Sequence, residues 1–145
     1  MKVVAVDSMV FIYHFEATEP HFSFIQSLFS QGKSQKIRII TSVISVLESL
    51  SSPKYLDSPR TAREIGLFFL EAGYIDIYDV TWDIAQEAAR LRRENKYLRT
   101  PDSIQLATAL VHQADIFITH DIKLQKLRFP NLKIVRLDRH GKAIP

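Results

Sequence analysis

Asp7, Glu48, Asp102 and Asp121 are four carboxylates spread through a chain of 145 residues, and their surroundings suggest a shared chemistry. Asp7 closes an apolar run, Asp121 follows another by two residues, and Asp102 opens a helical segment. Gathered together, such groups need a counter-charge. At about 4 Å two carboxylates repel by roughly 4 kcal/mol at an effective dielectric constant of about 20, so a cluster must take up protons, admit cations or stay apart. A hard divalent cation resolves the conflict, and an all-oxygen donor set suits Mg²⁺ or Mn²⁺. Mg²⁺ binds only one or two carboxylates directly and keeps several waters, which leaves room for phosphate oxygens. The chemistry on offer is phosphodiester hydrolysis, with a water made more acidic by the metal and charge on the transition state offset by it. The chain has no cysteine, so thiolate ligands and disulfides are excluded and nothing argues for an oxidising compartment.

The elements that must position these acids follow from the apolar pattern. Val3 to Val6 is a short β-branched run ended by Asp7-Ser8, a strand followed by a helix start. Phe22, Ile25, Leu28 and Phe29 recur at helical spacing before Gly32, and Ile37 to Ile40 forms a second strand. Thr41-Ser42 opens a helix with Val43, Val46, Leu47 and Leu50 on one face, stopped at Ser51-Ser52-Pro53; another helix spans Thr61 to Ala72. Ile75 to Val80, Ile116 to Thr119 and Lys133 to Leu137 read as strands, and Thr81 to Asn95, Thr100 to Gln113 and Ile122 to Leu127 as helices. This alternation predicts an α/β fold: a three-layer α/β/α sandwich around a mainly parallel sheet, with residues 1–145 as a single domain.

In an open parallel sheet, ligand sites form beyond the carboxyl ends of the strands. Asp7 and Asp121 therefore project at one rim. The helix from Thr100 runs down into the bottom of the Ile116 strand, so its first turn and Asp102 reach the same rim. Asp102 also shares a face with Leu106 and Ala109, four and seven residues on, which turns its carboxylate inward. Glu48 lies nearly two turns into its helix and reaches the rim only if that helix leans across. Each acid has a purely structural alternative: Asp7 and Asp121 as helix caps, Asp102 as a complement to the helix dipole, Glu48 as a solvated surface group.

Nineteen Lys and Arg against sixteen Asp and Glu give a net charge of +3, and the pI is near 9.2, a balance that permits nucleic acid as a partner without requiring it. Arg90, Arg92, Arg93, Lys96 and Arg99 crowd the connection into the Asp102 helix, with Tyr97 among them. Such a connection could grip phosphates while Tyr97 stacks on a base, or it could be an ordinary solvated helix end. Between Lys123 and Lys142, seven basic residues face one acid, Asp138. Tyr13, His14 and Phe15 either line a substrate path or belong to the core, and Phe24 lies off its helix's apolar face, where a dimer contact would fall. The amino-terminal apolar run is too short for a signal peptide or a membrane span, so the expected location is the cytoplasm, with no membrane partner.

Val6-Asp7-Ser8, Val46-Leu47-Glu48, Thr100-Pro101-Asp102-Ser103-Ile104-Gln105-Leu106-Ala107-Thr108-Ala109 and Ile118-Thr119-His120-Asp121 together resemble the PIN-domain nuclease family, and within it the VapC-type toxins. The resemblance covers essentially the whole chain. It implies a Mg²⁺- or Mn²⁺-dependent endoribonuclease with Asp7, Glu48, Asp102 and Asp121 as the acidic metal site and Ser8 and Thr119 supporting it. It also implies a homodimer and a cognate antitoxin that blocks the site. His120 stands where the family often has Asn, so the role of that Asn does not transfer. Two other classes fit parts of the pattern: a nonenzymatic RNA- or protein-binding scaffold, and a receiver-type phosphoacceptor module. The latter needs an acidic pair after the first strand, where only Asp7 is found.

Overall fold

The computed structural model describes residues 1–145. In chain order the elements are β1 (Lys2–Val6), α1 (Ser8–Phe15), α2 (His21–Lys33), β2 (Ile37–Ser42), α3 (Ile44–Leu50), a 3₁₀ turn (Pro53–Leu56), α4 (Pro59–Glu71), β3 (Ile75–Tyr78), α5 (Trp82–Glu94), α6 (Thr100–Val111), β4 (Ile116–Thr119), α7 (Ile122–Gln125), β5 (Lys133–Leu137) and β6 (Ala143–Ile144). They form one six-stranded sheet of order β3-β2-β1-β4-β5-β6, parallel throughout except for β6. The expected mainly parallel α/β sandwich is the fold observed.

Chain order reverses at β1, which pairs with β2 on one side and β4 on the other. That junction is the topological switch point, where crossovers leave toward opposite faces and a crevice opens at the strands' carboxyl ends. The backbone N–H of Asp7 donates to the carbonyl oxygen of Ile118 at 3.1 Å, extending the β1–β4 ladder to the rim.

Each face of the sheet carries its own apolar core. On one side Phe11, Phe29, Phe68 and Phe69 pack around Val4, Val6 and Ile39, with the Phe11 and Phe69 ring centroids 4.9 Å apart. On the other, Ile84, Ala88 and Leu91 of α5 meet Leu106, Ala107 and Ala109 of α6 over Ala5, Ile40 and Phe117. The inward stripe of α6 holds this helix, and Asp102 with it, against the sheet.

Several local expectations are corrected. Thr41 and Ser42 extend β2, paired with Ile77 and Tyr78 of β3, because the edge ladder continues past Ile40. The helix that follows buries Ser45 and Ser49; of the predicted apolar face Val46 and Leu50 pack against the core, whereas Leu47 is 61% exposed. Gly32 does not end α2. It sits where the helix crosses β2 so closely that a Cβ would lie 2.7 Å from Cδ1 of Ile39; the turn comes at Gln35, with φ of 57°. The third strand stops at Tyr78, and β6 pairs antiparallel with β5, an element too short to leave a periodic signal. Phe24 is half-buried against the first core, and His14 and Phe15 lie in its aromatic cluster. No helix is long and apolar enough to cross a membrane.

Candidate active site

The rim above the switch point is assembled from several chain segments. Asp7 is 8% exposed; its Oδ1 caps α1 by accepting from the N–H of Met9 at 3.0 Å, which leaves Oδ2 directed toward His120 at 3.9 Å from Nδ1. That separation is too long for a hydrogen bond, and the two attract as an ion pair when the imidazole is protonated. Asp121 caps α7 through Oδ1, which accepts from the N–H of Lys123 at 2.7 Å. The buried hydroxyl of Thr119 in turn accepts from the backbone N–H of Asp121 at 3.1 Å and fixes the turn. Capping and proximity coexist here: one oxygen of each carboxylate satisfies a helix end, and the other is left over.

Glu48 reaches this rim through Ser8, whose hydroxyl donates to Oε1 at 2.8 Å. The lean of α3 that this bond requires has a visible cause. The Thr41 hydroxyl donates to the carbonyl oxygen of Val6 at 2.8 Å and shares a 2.7 Å hydrogen bond with the Ser45 hydroxyl, which also accepts from Nε2 of Gln105 at 2.9 Å. A fully buried polar ladder thus joins β1, β2, α3 and α6 beneath the acids. Sequence reasoning assigned no role to Thr41, Ser45 or Gln105 in such a ladder. The available signal was Gln105 itself, a long polar side chain on the otherwise small and apolar face of α6.

Asp102 shares its position with a cation. Nε of Arg99 donates to its Oδ2 at 3.1 Å, the arginine 74% exposed and the aspartate 21%. Burial raises the Asp102 pKa; Arg99 pulls it down, and the charges of Asp121 and Asp7 add to the rise. The pKa of Arg99 is raised by Asp102 first, and also by Asp121 and Glu48. His120 is likewise raised, by Asp7 first and further by Asp121 and Asp102. The four acids therefore act on one another's surroundings, although no three His, Asp or Glu side chains lie close enough to form a finished metal cage. Their donor set is all oxygen, which suits a hard divalent cation, and the rise at Asp102 comes from burial first, with the charges of Asp121 and Asp7 adding to it.

The basic residues expected near the rim divide by their partners. Nε of Arg92 donates to the carbonyl oxygen of Leu98 at 3.1 Å and braces the α5–α6 connection. Arg90 is held by Glu87 and Glu94. Arg93 and Lys96 are exposed and form no ion pair, and Tyr97 is 84% exposed. Tyr13 stacks on His21 at 4.2 Å and approaches His120 edge-on at 6.3 Å, so of the three residues from Tyr13 to Phe15 it is the one beside the acids.

A family model described as PIN domain matches residues 4–130, which span all four acids and the elements that carry them. The chain belongs to the PIN domain family. Solved structures similar to this PIN domain include a toxin-antitoxin complex from Klebsiella pneumoniae, with 26% identity, a TM-score of 0.60 and 89% of this chain covering 94% of that one. Another is VapBC2 from Rickettsia felis bound to a DNA fragment from its promoter, with 19% identity, a TM-score of 0.69 and 91% of this chain covering 96% of that one. A third is a sarcin-ricin-loop-cleaving VapC toxin from Mycobacterium tuberculosis, at 16% identity and a TM-score of 0.62, with coverage of 79% and 86%. The last two are likenesses of fold. No curated protein matches the chain in sequence.

Proposed function

We propose that this PIN domain is a divalent-metal-dependent endoribonuclease, the toxin of a type II toxin-antitoxin pair, using Mg²⁺ or Mn²⁺. The observation that carries the reading is the convergence of four carboxylates at the β1–β4 switch point: Asp7 and Asp121 each cap a helix through one oxygen, Ser8 holds Glu48, and Arg99 bonds Asp102. Asp7, Glu48, Asp102 and Asp121 would hold the ion, directly or through water. When bound, the ion supplies a more acidic water and Lewis-acid stabilisation of the phosphoryl oxygens. Ser8 orients Glu48, Thr119 orients Asp121, and the buried Thr41–Ser45–Gln105 ladder keeps α3 and α6 in register beneath them. Arg99 bonds Asp102 in the metal-free protein; a cation held by that carboxylate would compete with it and would leave the guanidinium available to a phosphate.

The likeness to the Klebsiella pneumoniae toxin-antitoxin complex supports an antitoxin partner; that this partner covers the rim, and that the toxin is a homodimer in the cytoplasm, belong to the proposal. The test of the activity is product mapping on a circular RNA substrate with Mn²⁺ present or chelated. Linear fragments that need the metal support an endonuclease. RNA retained without products under both conditions favours the scaffold reading instead.

A further inference from the structure

The two basic segments at residues 90–99 and 123–142 meet in the fold. Lys96 and Tyr97, from the α5–α6 connection, form one wall of a cleft of about 520 Å³; Lys123, Lys126 and Leu127, from α7 and its end, form the other. Both walls lead to the acids. Leu98 is followed by Arg99, which is bonded to Asp102, and the backbone N–H of Lys123 is bonded to Asp121. Resting on the nuclease reading above, we propose that this cleft is a subsite for single-stranded RNA, with Tyr97 stacking on a base and Lys96, Lys123 and Lys126 holding phosphates next to the acidic rim.

Three features support that occupant. The charge of the cleft is uncompensated: its one acid, Glu94, is bonded through both oxygens to Nη1 of Arg90 at 3.0 Å, while none of the three lysines forms an ion pair. The aromatic ring is presented on a braced backbone. The N–H of Leu98 donates to the carbonyl oxygen of Asn95 at 3.1 Å, Nδ2 of Asn95 donates to that of Leu91 at 3.0 Å, and Arg92 holds the carbonyl oxygen of Leu98. Leu98 is buried, yet Tyr97 stays 84% exposed, so the loop is anchored by one side chain and offers its neighbour to solvent. Spaced cations around an exposed aromatic suit a strand whose bases are unstacked; a duplex keeps its base faces covered.

The test is anisotropy of a short fluorescein-labelled oligouridine in EDTA, where binding is read without cleavage. Tyr97→Ala should weaken binding about tenfold and Tyr97→Phe should leave it near wild type, as stacking requires. Lys123→Ala with Lys126→Ala should lower the slope of log affinity against log salt by about 1.4, at roughly 0.7 for each phosphate that a lysine neutralises on a single strand. Arg60→Ala on α4 serves as a control with unchanged binding. The cleft is overturned if wild type fails to bind the oligouridine, if Tyr97→Ala and the Lys123→Ala, Lys126→Ala double variant bind like wild type, or if polyglutamate binds there and oligouridine does not. Equal binding of oligodeoxythymidine would overturn the restriction to RNA. The two proposals fail separately. Cleft-dependent binding without cleavage in Mn²⁺ removes the nuclease reading alone, and metal-dependent cleavage unaltered in every cleft variant removes the cleft alone.

Discussion

The Ser8 hydroxyl donates to Oε1 of Glu48 at 2.8 Å across 40 positions of sequence, joining the residue after the first strand's terminal acid to a helix of the next crossover, β2 to β3. It gives Glu48 a reason to sit at the rim that no local pattern supplies. Ser8→Ala should leave the fold intact, since a hydrogen bond to a charged group contributes only about 1.5–3 kcal/mol. It should weaken Mn²⁺ binding and slow RNA cleavage by roughly tenfold, the size expected when the partner that orients a metal ligand is removed. Calorimetric Mn²⁺ titration beside a melting curve separates the two effects; a melting temperature that falls while Mn²⁺ affinity holds would make Ser8 a structural residue only.

Asp102 should make the metal-free protein less stable as pH rises. Its folded pKa is raised above the ordinary aspartate value of about 3.9, so the folded state binds the proton more tightly than the unfolded chain. The resulting penalty is absent below the unfolded pKa, grows as pH rises through the folded pKa and is complete at neutral pH. Asp102→Asn should therefore raise the melting temperature of metal-free protein at neutral pH, by about 2–4 °C for each kcal/mol regained, and the gain should vanish in acid. Loss of the Arg99 pair offsets little, because that arginine is 74% exposed. The same variant should gain less from added Mn²⁺. Identical pH–stability curves for wild type and variant would contradict the raised pKa that burial, with Asp121 and Asp7 beside it, gives Asp102.

The buried ladder under the acids should be costly to interrupt. Gln105→Leu removes the donor to Ser45 in a fully enclosed position, which should cost about 1–3 kcal/mol. Because the bond ties α6 to α3, cleavage should fall more than stability alone explains. A double-mutant cycle with Ser45→Ala should return a coupling of about 0.5–3 kcal/mol, measured by urea unfolding. Additive losses would mean that the two side chains act independently.

His14 should be a weak point in acid. It lies against Phe15, Phe22, Phe29 and Phe68, its Nδ1 has no hydrogen-bond partner, and burial first and the Lys33 charge second lower its pKa. The unfolded chain takes up a proton near pH 6.5, before the folded protein does. Stability is full above that value and is lost as pH falls from it toward the lower folded pKa. His14→Phe should flatten this slope and raise the melting temperature at neutral pH, without altering cleavage. A slope as steep in the variant as in wild type would assign the acid sensitivity to other groups.

What could be read in advance follows the range of the interactions. Asp7 and Asp121 were placed by strand ends, and Asp102 by the inward stripe of α6; strand, stripe and rim are local patterns completed by one topological rule. The lean of α3 was not legible. It depends on Thr41, Ser45 and Gln105 satisfying one another inside the protein, and a buried serine cannot be told from a surface serine without its partner. The same ladder explains why Leu47 points outward where an apolar face was expected: small hydroxyl residues, rather than leucine, occupy the close approach to the sheet. The two basic segments were visible as charge runs, but their meeting beside α7 is tertiary.

Metal-dependent RNA cleavage at the switch-point acids stands or falls on the rate of cleavage against Mn²⁺ concentration, compared between wild type and Asp7→Asn. Cleavage should rise with Mn²⁺, stop with EDTA and fall at least about a hundredfold in the variant while its fold is retained, as expected for loss of a metal-holding carboxylate. Cleavage indifferent to EDTA and undiminished by Asp7→Asn would contradict a metal-dependent nuclease at this rim.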